Sequence, residues 1–97
     1  MEKKGYNYKL TIEAITNPQG EHINKDPIEH FFQNHDDLYK IIEMAKSKNL
    51  FENPDQSTEF ALGLKLFSEI MLKNRNNDLF VDFAPAFGTF MKKLKSM

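Results

Sequence analysis

The sequence predicts an α+β fold in which an N-terminal antiparallel β-hairpin packs on three α-helices. In the first third of the chain, apolar and polar residues alternate with the period of two that is typical of a strand with one buried face. From about residue 38 onward, apolar residues recur every three or four positions, as they do on one side of a helix. With 97 residues, the chain is expected to form a single domain over residues 1–97.

The hairpin is predicted from two alternating segments and the turn between them. A first strand is expected over residues 6–15, and a second over residues 28–33. The tetrapeptide Asn17-Pro18-Gln19-Gly20 has a turn former at each position that a β-turn needs. A lone hairpin is marginally stable in water, so its apolar face is expected to be covered by the helices.

Two helices are predicted to follow the hairpin. Asn34 is expected to cap the first, with Asp36 and Asp37 in its first turn, and Asn49 is expected to end it. The second helix is predicted over residues 60–72, capped by Asp55 or Ser57. It is apolar around most of its circumference, which predicts a central position in the fold.

The last segment is predicted to be a third helix, which begins near Asp82 and holds Pro85 in its first turn. An alternative is a short third strand over residues 79–83, which would give a ubiquitin-like roll. The predicted core combines the apolar faces of all these elements. It comprises Tyr8, Leu10, Ile12, Phe32, Leu38, Ile41, Ile42, Phe60, Leu64, Phe67, Met71, Phe87 and Phe90.

Composition excludes several classes of function. The chain has no cysteine, so it forms neither disulfides nor zinc–thiolate sites. Its start has no signal-peptide pattern and no segment has the apolar length of a membrane span, so a cytoplasmic protein is expected. A net charge of −1 argues against nucleic-acid binding. No phosphate-binding loop or nucleophile motif is present, so binding is expected rather than catalysis, with no cofactor.

A polar site is the weaker of two functional hypotheses. His30, His35 and Asp36 are the candidates, because histidine is the side chain that titrates near neutral pH. They would serve a small ligand-binding protein or enzyme with a pocket between the hairpin and the helices. A simpler interpretation makes His30 a cross-strand residue and leaves Asp36 at the start of a helix.

A protein-interaction or homo-oligomeric surface is the favoured hypothesis. Residues 1–59 hold seven Lys or Arg against eleven Asp or Glu, whereas residues 60–97 hold six against three. Most of the nine phenylalanines are expected in the core, but the helical face formed by Phe80, Phe83, Phe87 and Phe90 is expected to exceed what one small domain covers. The candidate surface residues are Phe80, Phe83, Lys92, Lys93 and Lys95.

Four segments together resemble a family of small bacterial proteins known only as a domain of unknown function. They are YNYKLT at residues 6–11, NHDD at residues 34–37, FALGLKLFSEIMLKNR at residues 60–75 and PAFGTFMKKLK at residues 85–95. The resemblance covers nearly the whole chain. It implies a compact bacterial cytoplasmic domain and brings no activity, cofactor or catalytic residue with it.

Overall fold

The computed structural model describes residues 5–97 and divides the chain into two compact units, with the boundary between Asp37 and Leu38. The first unit holds an antiparallel β-hairpin, and the second holds four helices. This arrangement confirms the α+β fold class. The expectation of one domain over residues 1–97 stays a prediction.

The hairpin consists of β1 (Tyr6–Ile12) and β2 (Ile28–Asn34), which pair antiparallel with Tyr8 opposite Phe32. The predicted pairing is therefore confirmed. β1 is shorter than expected, because the ladder stops at Ile12. Beyond it the loop forms a smaller hairpin of its own, in which Ile23 N donates to Ile15 O at 3.0 Å.

The predicted turn closes this smaller hairpin. Gly20 N donates to Asn17 O at 2.9 Å, and Gly20 has a φ of +84°, which a side chain would disfavour. The Asn17 side-chain oxygen accepts from the backbone N–H groups of Gln19 and Glu21 at 3.0 and 2.9 Å. These hydrogen bonds give the backbone N–H groups of the loop their acceptors, so the loop does not need to extend the strand pairing.

The first helix, α1 (Leu38–Ser47), begins four residues after the predicted cap. Asn34 is the last residue of β2 and is buried, with 2% of its surface exposed. Its side-chain oxygen accepts from Asp36 N at 2.9 Å, which forms an Asx turn between strand and helix. The helix ends as predicted, since Asn49 adopts a left-handed φ of 52°.

The second helix, α2 (Pro54–Lys73), is longer than predicted and has a different cap. Asn53 caps it, accepting from Asp55 N at 2.8 Å, and Pro54 occupies the first helical position. The predicted caps Asp55 and Ser57 lie inside the helix, and Ser57 is buried.

The last segment contains two helices, α3 (Asp78–Val81) and α4 (Ala84–Ser96). The third-strand alternative over residues 79–83 is therefore wrong, and in the described part of the chain the sheet has two strands. Asn77 caps α3 by accepting from Leu79 N at 2.9 Å, which starts helical geometry before a strand could form. Pro85 lies in the first turn of α4, as predicted.

Few large side chains are fully buried. Of the predicted core residues, Leu38 and Met71 are buried, whereas Ile12, Phe67 and Phe90 are exposed. The predicted core was too large because spacing identifies an apolar face and does not tell whether another element covers it. Within residues 5–97, no helix is both long enough and apolar enough to cross a membrane.

Candidate interaction surface on the helical unit

The phenylalanines of the helical unit form a connected cluster of rings. The ring of Phe67, on α2, lies 6.0 Å from that of Phe80, 5.9 Å from Phe83 and 6.2 Å from Phe87. All three contacts are edge-to-face, with interplanar angles between 70° and 76°. This is a favoured geometry for aromatic pairs, so the cluster holds α2 against the last two helices.

The cluster continues along α4 toward its C-terminal end. The ring of Phe87 lies 6.2 Å from that of Phe90, and Phe90 lies 6.3 Å from Phe60 of α2. Phe60 in turn contacts Phe51 at 5.4 Å. The contacts run through seven rings, so the aromatic residues form one continuous band on this unit.

Much of that band is open to solvent, above all on α4. No residue of α4 is buried among the residues that the structure describes. Phe87, Met91 and Leu94 are half-buried and form the inner face of the helix. Phe83 is 44% exposed and Phe90 is 42% exposed.

The outer face of α4 follows a regular spacing. Phe83, Ala86, Phe90 and Lys93 are separated by three, four and three positions, which keeps them on one side of the helix. All four are exposed. We call Phe83, Ala86 and Phe90, together with the neighbouring Phe67, the aromatic surface.

The size of the aromatic surface is close to that of functional patches. Phe67 is also 42% exposed. A phenylalanine carries roughly 200 Å² of surface, so the three phenylalanines alone expose about 250 Å² of apolar area. Ile70, one turn further along α2, is exposed as well. Contiguous apolar patches of about 300–600 Å² on a monomer are often functional.

The structure places the five predicted surface residues differently. Phe83 lies on the aromatic surface, and Lys93 lies at its edge, one turn beyond Phe90. Phe80 is only 8% exposed, so it supports the surface from beneath. Lys92 is exposed on another side of α4, and Lys95 lines a cavity. The interaction role of these residues stays a prediction.

Sequence reasoning missed Phe67 and Ala86 as surface residues. Phe67 was assigned to the core because α2 is apolar around most of its circumference. The 3-4-3 spacing from Phe83 to Lys93 was present in the sequence and would have identified Ala86.

The residues of the predicted polar site lie in the hairpin unit. His30 lies opposite Leu10 in the ladder, and its ring stacks on that of Phe32, two positions along the same strand, at a centroid distance of 6.0 Å. His35 Nε2 lies 3.6 Å from Asp36 Oδ2, and the His35 side chain is well exposed. Asp36 O accepts from the Tyr8 hydroxyl at 2.9 Å. Within residues 5–97, no three His, Asp or Glu side chains are grouped as a metal site requires.

A cavity of about 200 Å³ lies elsewhere, within the helical unit. Residues of α1, α2 and α4 line it, and none of His30, His35 and Asp36 does. The geometry therefore offers two features for function: the aromatic surface, and this cavity, which adjoins it at Phe60.

Comparison with known proteins identifies relatives without an assigned activity. The model of a family described as a domain of unknown function with a solved structure, DUF3861, matches residues 6–96. The crystal structure of a protein of unknown function (eca1910) from Pectobacterium atrosepticum is similar, with 34% sequence identity and a TM-score of 0.81. That match covers 97% of this chain and 100% of the other. No protein with a curated description matches the chain.

Proposed function

Because the chain belongs to the DUF3861 family of domains of unknown function, we propose its role from its own surface. The protein is a homodimeric interaction module, and two copies associate through the aromatic surface. The observation that carries this proposal is that α4, a helix of 13 residues with an apolar outer face, has no buried residue in the described chain.

Apolar surface in contact with water is unfavourable in free energy, so burying the aromatic surface would be favourable. The three phenylalanines of the aromatic surface expose about 250 Å², and burying that area contributes about 6 kcal/mol at ~25 cal/mol per Å². When two identical aromatic surfaces pack together, each copy of the chain gains this free energy. Two-fold symmetry brings a patch against itself, so a self-complementary surface needs no separate partner.

The spacing on α4 favours a second copy of α4 as the occupant. Phe83, Ala86 and Phe90 have the spacing with which paired helices interlock. When two α4 helices run antiparallel about an axis between Ala86 and Phe90, the small Ala86 of each copy faces the large Phe90 of the other. Alternation of small and large side chains lets the two faces interdigitate.

The charges at the two ends of the outer face complement each other in this arrangement. Asp82 precedes Phe83 at the start of the face, and Lys93 lies near its other end. Antiparallel packing places Asp82 of one copy beside Lys93 of the partner subunit, and the reverse contact follows by symmetry. Parallel packing would instead bring like charges together at both ends.

The aromatic surface is smaller than a complete dimer interface. It would form the apolar centre of that interface, with polar residues around it. A standard interface buries about 800 Å² on each partner, with an apolar centre and a polar, solvent-accessible periphery. The aromatic surface supplies the centre, and it is bordered by Asp82, just before α4, and by Thr89 and Lys93 on α4. A dimer held in this way depends mainly on apolar burial and only modestly on salt.

The proposal is tested by measuring the dimer dissociation constant by sedimentation equilibrium. In the Phe83→Ser variant each copy loses about 90 Å² of exposed aromatic area, or about 2 kcal/mol. We therefore expect the dissociation constant to rise at least tenfold. The matched control is Phe31→Ser, because Phe31 is 70% exposed and lies on the hairpin, outside the aromatic surface.

Two results would contradict the proposal. One is a wild-type chain that stays at its monomer mass of 11.4 kDa up to about 1 mM, where even a weak dimer forms. The other is an equal loss of dimer in the Phe31→Ser control. Circular dichroism of Phe83→Ser, compared with the wild type, establishes that the variant is folded before its mass is interpreted.

A further inference from the structure

The cavity of the helical unit has a composition that indicates a particular class of ligand. Twelve residues from α1, α2, α4 and the segment after α1 line a space of about 200 Å³. Nine of them are apolar, and the other three are all lysines: Lys48, Lys65 and Lys95. No acidic residue is among them.

We propose that this cavity binds an amphiphile with one anionic head group and a medium-length alkyl chain, of which octanoate is the simplest probe. The apolar walls receive the alkyl chain, and the lysine ammonium groups at the rim attract the head group. Lysine stems extend along apolar surface while their charged ends stay in water, so this placement requires no buried charge.

The dimensions of the cavity set the length of the chain. A cavity of about 150 Å³ in a protein core accommodates one benzene ring, so about 200 Å³ accommodates a chain of roughly eight carbons. Ala45 and Ala61 are the small residues of the lining, and both are buried. They leave the space that a larger side chain on α1 or α2 would occupy.

The rim is partly ordered by a contact between two helices. Lys48 Nζ donates to the main-chain oxygen of Met97 at 2.8 Å, which connects the end of α1 to the end of α4. Lys95, on the last turn of α4, lines the cavity from the opposite helix. Lys48 and Lys95 therefore bring positively charged side chains to the cavity from two different parts of the chain.

This site adjoins the aromatic surface, because Phe60 lines the cavity and its ring lies 6.3 Å from that of Phe90. At 100° a residue, Lys95 lies about 180° from Ala86 around α4, whereas Leu94, which also lines the cavity, lies about 40° from Phe90. The two proposals therefore use neighbouring but different residues of the helical unit, and each is tested by its own measurement.

The test follows amide chemical shifts by NMR while octanoate, octan-1-ol or octylammonium is added to the intact chain. We expect octanoate to shift residues that line the cavity, with Ala45, Ala61 and Leu94 among them. We also expect it to bind more tightly than octylammonium by at least tenfold. The neutral alcohol separates the contribution of the alkyl chain from that of the charge.

Two variants show whether the rim selects the head group. Lys95→Gln should weaken octanoate binding about two- to fivefold, the worth of one exposed charge pair, and leave octanol binding unchanged. Lys92→Gln is the control, because Lys92 is on the same helix and does not line the cavity. Equal binding of octanoate and octylammonium, shifts outside the cavity, or no shifts at about 5 mM octanoate would overturn the proposal.

Discussion

At the scale of single residues, the side chain of Asn34 forms the turn that ends the hairpin. Its surface is 2% exposed, and its Oδ1 accepts from Asp36 N at 2.9 Å. The neighbouring backbone is held as well, since the Tyr8 hydroxyl donates to Asp36 O. A short polar side chain that satisfies a backbone donor stabilises the change of direction that ends β2.

Replacing Asn34 should therefore reduce stability. In Asn34→Ala the backbone N–H of Asp36 loses its side-chain acceptor, and a buried polar contact disappears. We therefore expect the free energy of unfolding to fall by about 1–3 kcal/mol. Urea denaturation at one fixed protein concentration measures this. Asn7→Ala is the matched control, because exposed Asn7 makes only a 3.5 Å contact with Gln33 and should change stability by less than about 0.5 kcal/mol.

At the scale of elements, periodicity predicted the helices and the strand pairing because it reports which face of an element is apolar. Cap positions were harder, because several residues of the same type compete for each helix start. Asn34, Asp55 and Ser57 are all good cap formers in isolation. The choice depends on where the preceding strand or loop ends, which is decided by tertiary packing.

The same distinction applies to the candidate surface. Phe83 could be predicted from its spacing on the apolar helical face, and Lys93 from the group of lysines that follows it, and both are exposed in the structure. The burial of Phe80 and the exposure of Phe67 could not be predicted, because both belong to apolar stripes of similar strength. Which stripe is covered depends on the position of α3 against α2.

The capping of α2 gives a prediction at this scale. Asn53→Ala removes the side chain that accepts from Asp55 N, and we expect a loss of about 1 kcal/mol in unfolding free energy. Asn53→Asp retains an acceptor oxygen and adds a negative charge that the helix N-terminus favours, so its stability should match the wild type. If thermal denaturation shows the two variants to be equally destabilised, Asn53 does not act as the cap.

At the scale of the whole molecule, the proposed dimer explains why the outer face of α4 is exposed in a single chain. The chain keeps its fully buried core small and leaves a connected band of phenylalanines partly open. In the proposed dimer, a second copy of the chain covers this band with the same residues. In that assembly the exposed phenylalanines become the centre of the interface. Asp82 and Lys93, at the two ends of the face, favour the antiparallel orientation of the two α4 helices.

The most direct test of this claim is the dimer dissociation constant of a set of charge-reversal variants, measured by sedimentation equilibrium at low salt. Asp82→Lys alone and Lys93→Glu alone each place like charges together twice in the antiparallel dimer, so both should weaken it about threefold to tenfold. The double variant restores opposite charges at both contacts and should return to the wild-type value. A double variant at least as weak as the single variants would contradict antiparallel pairing through α4.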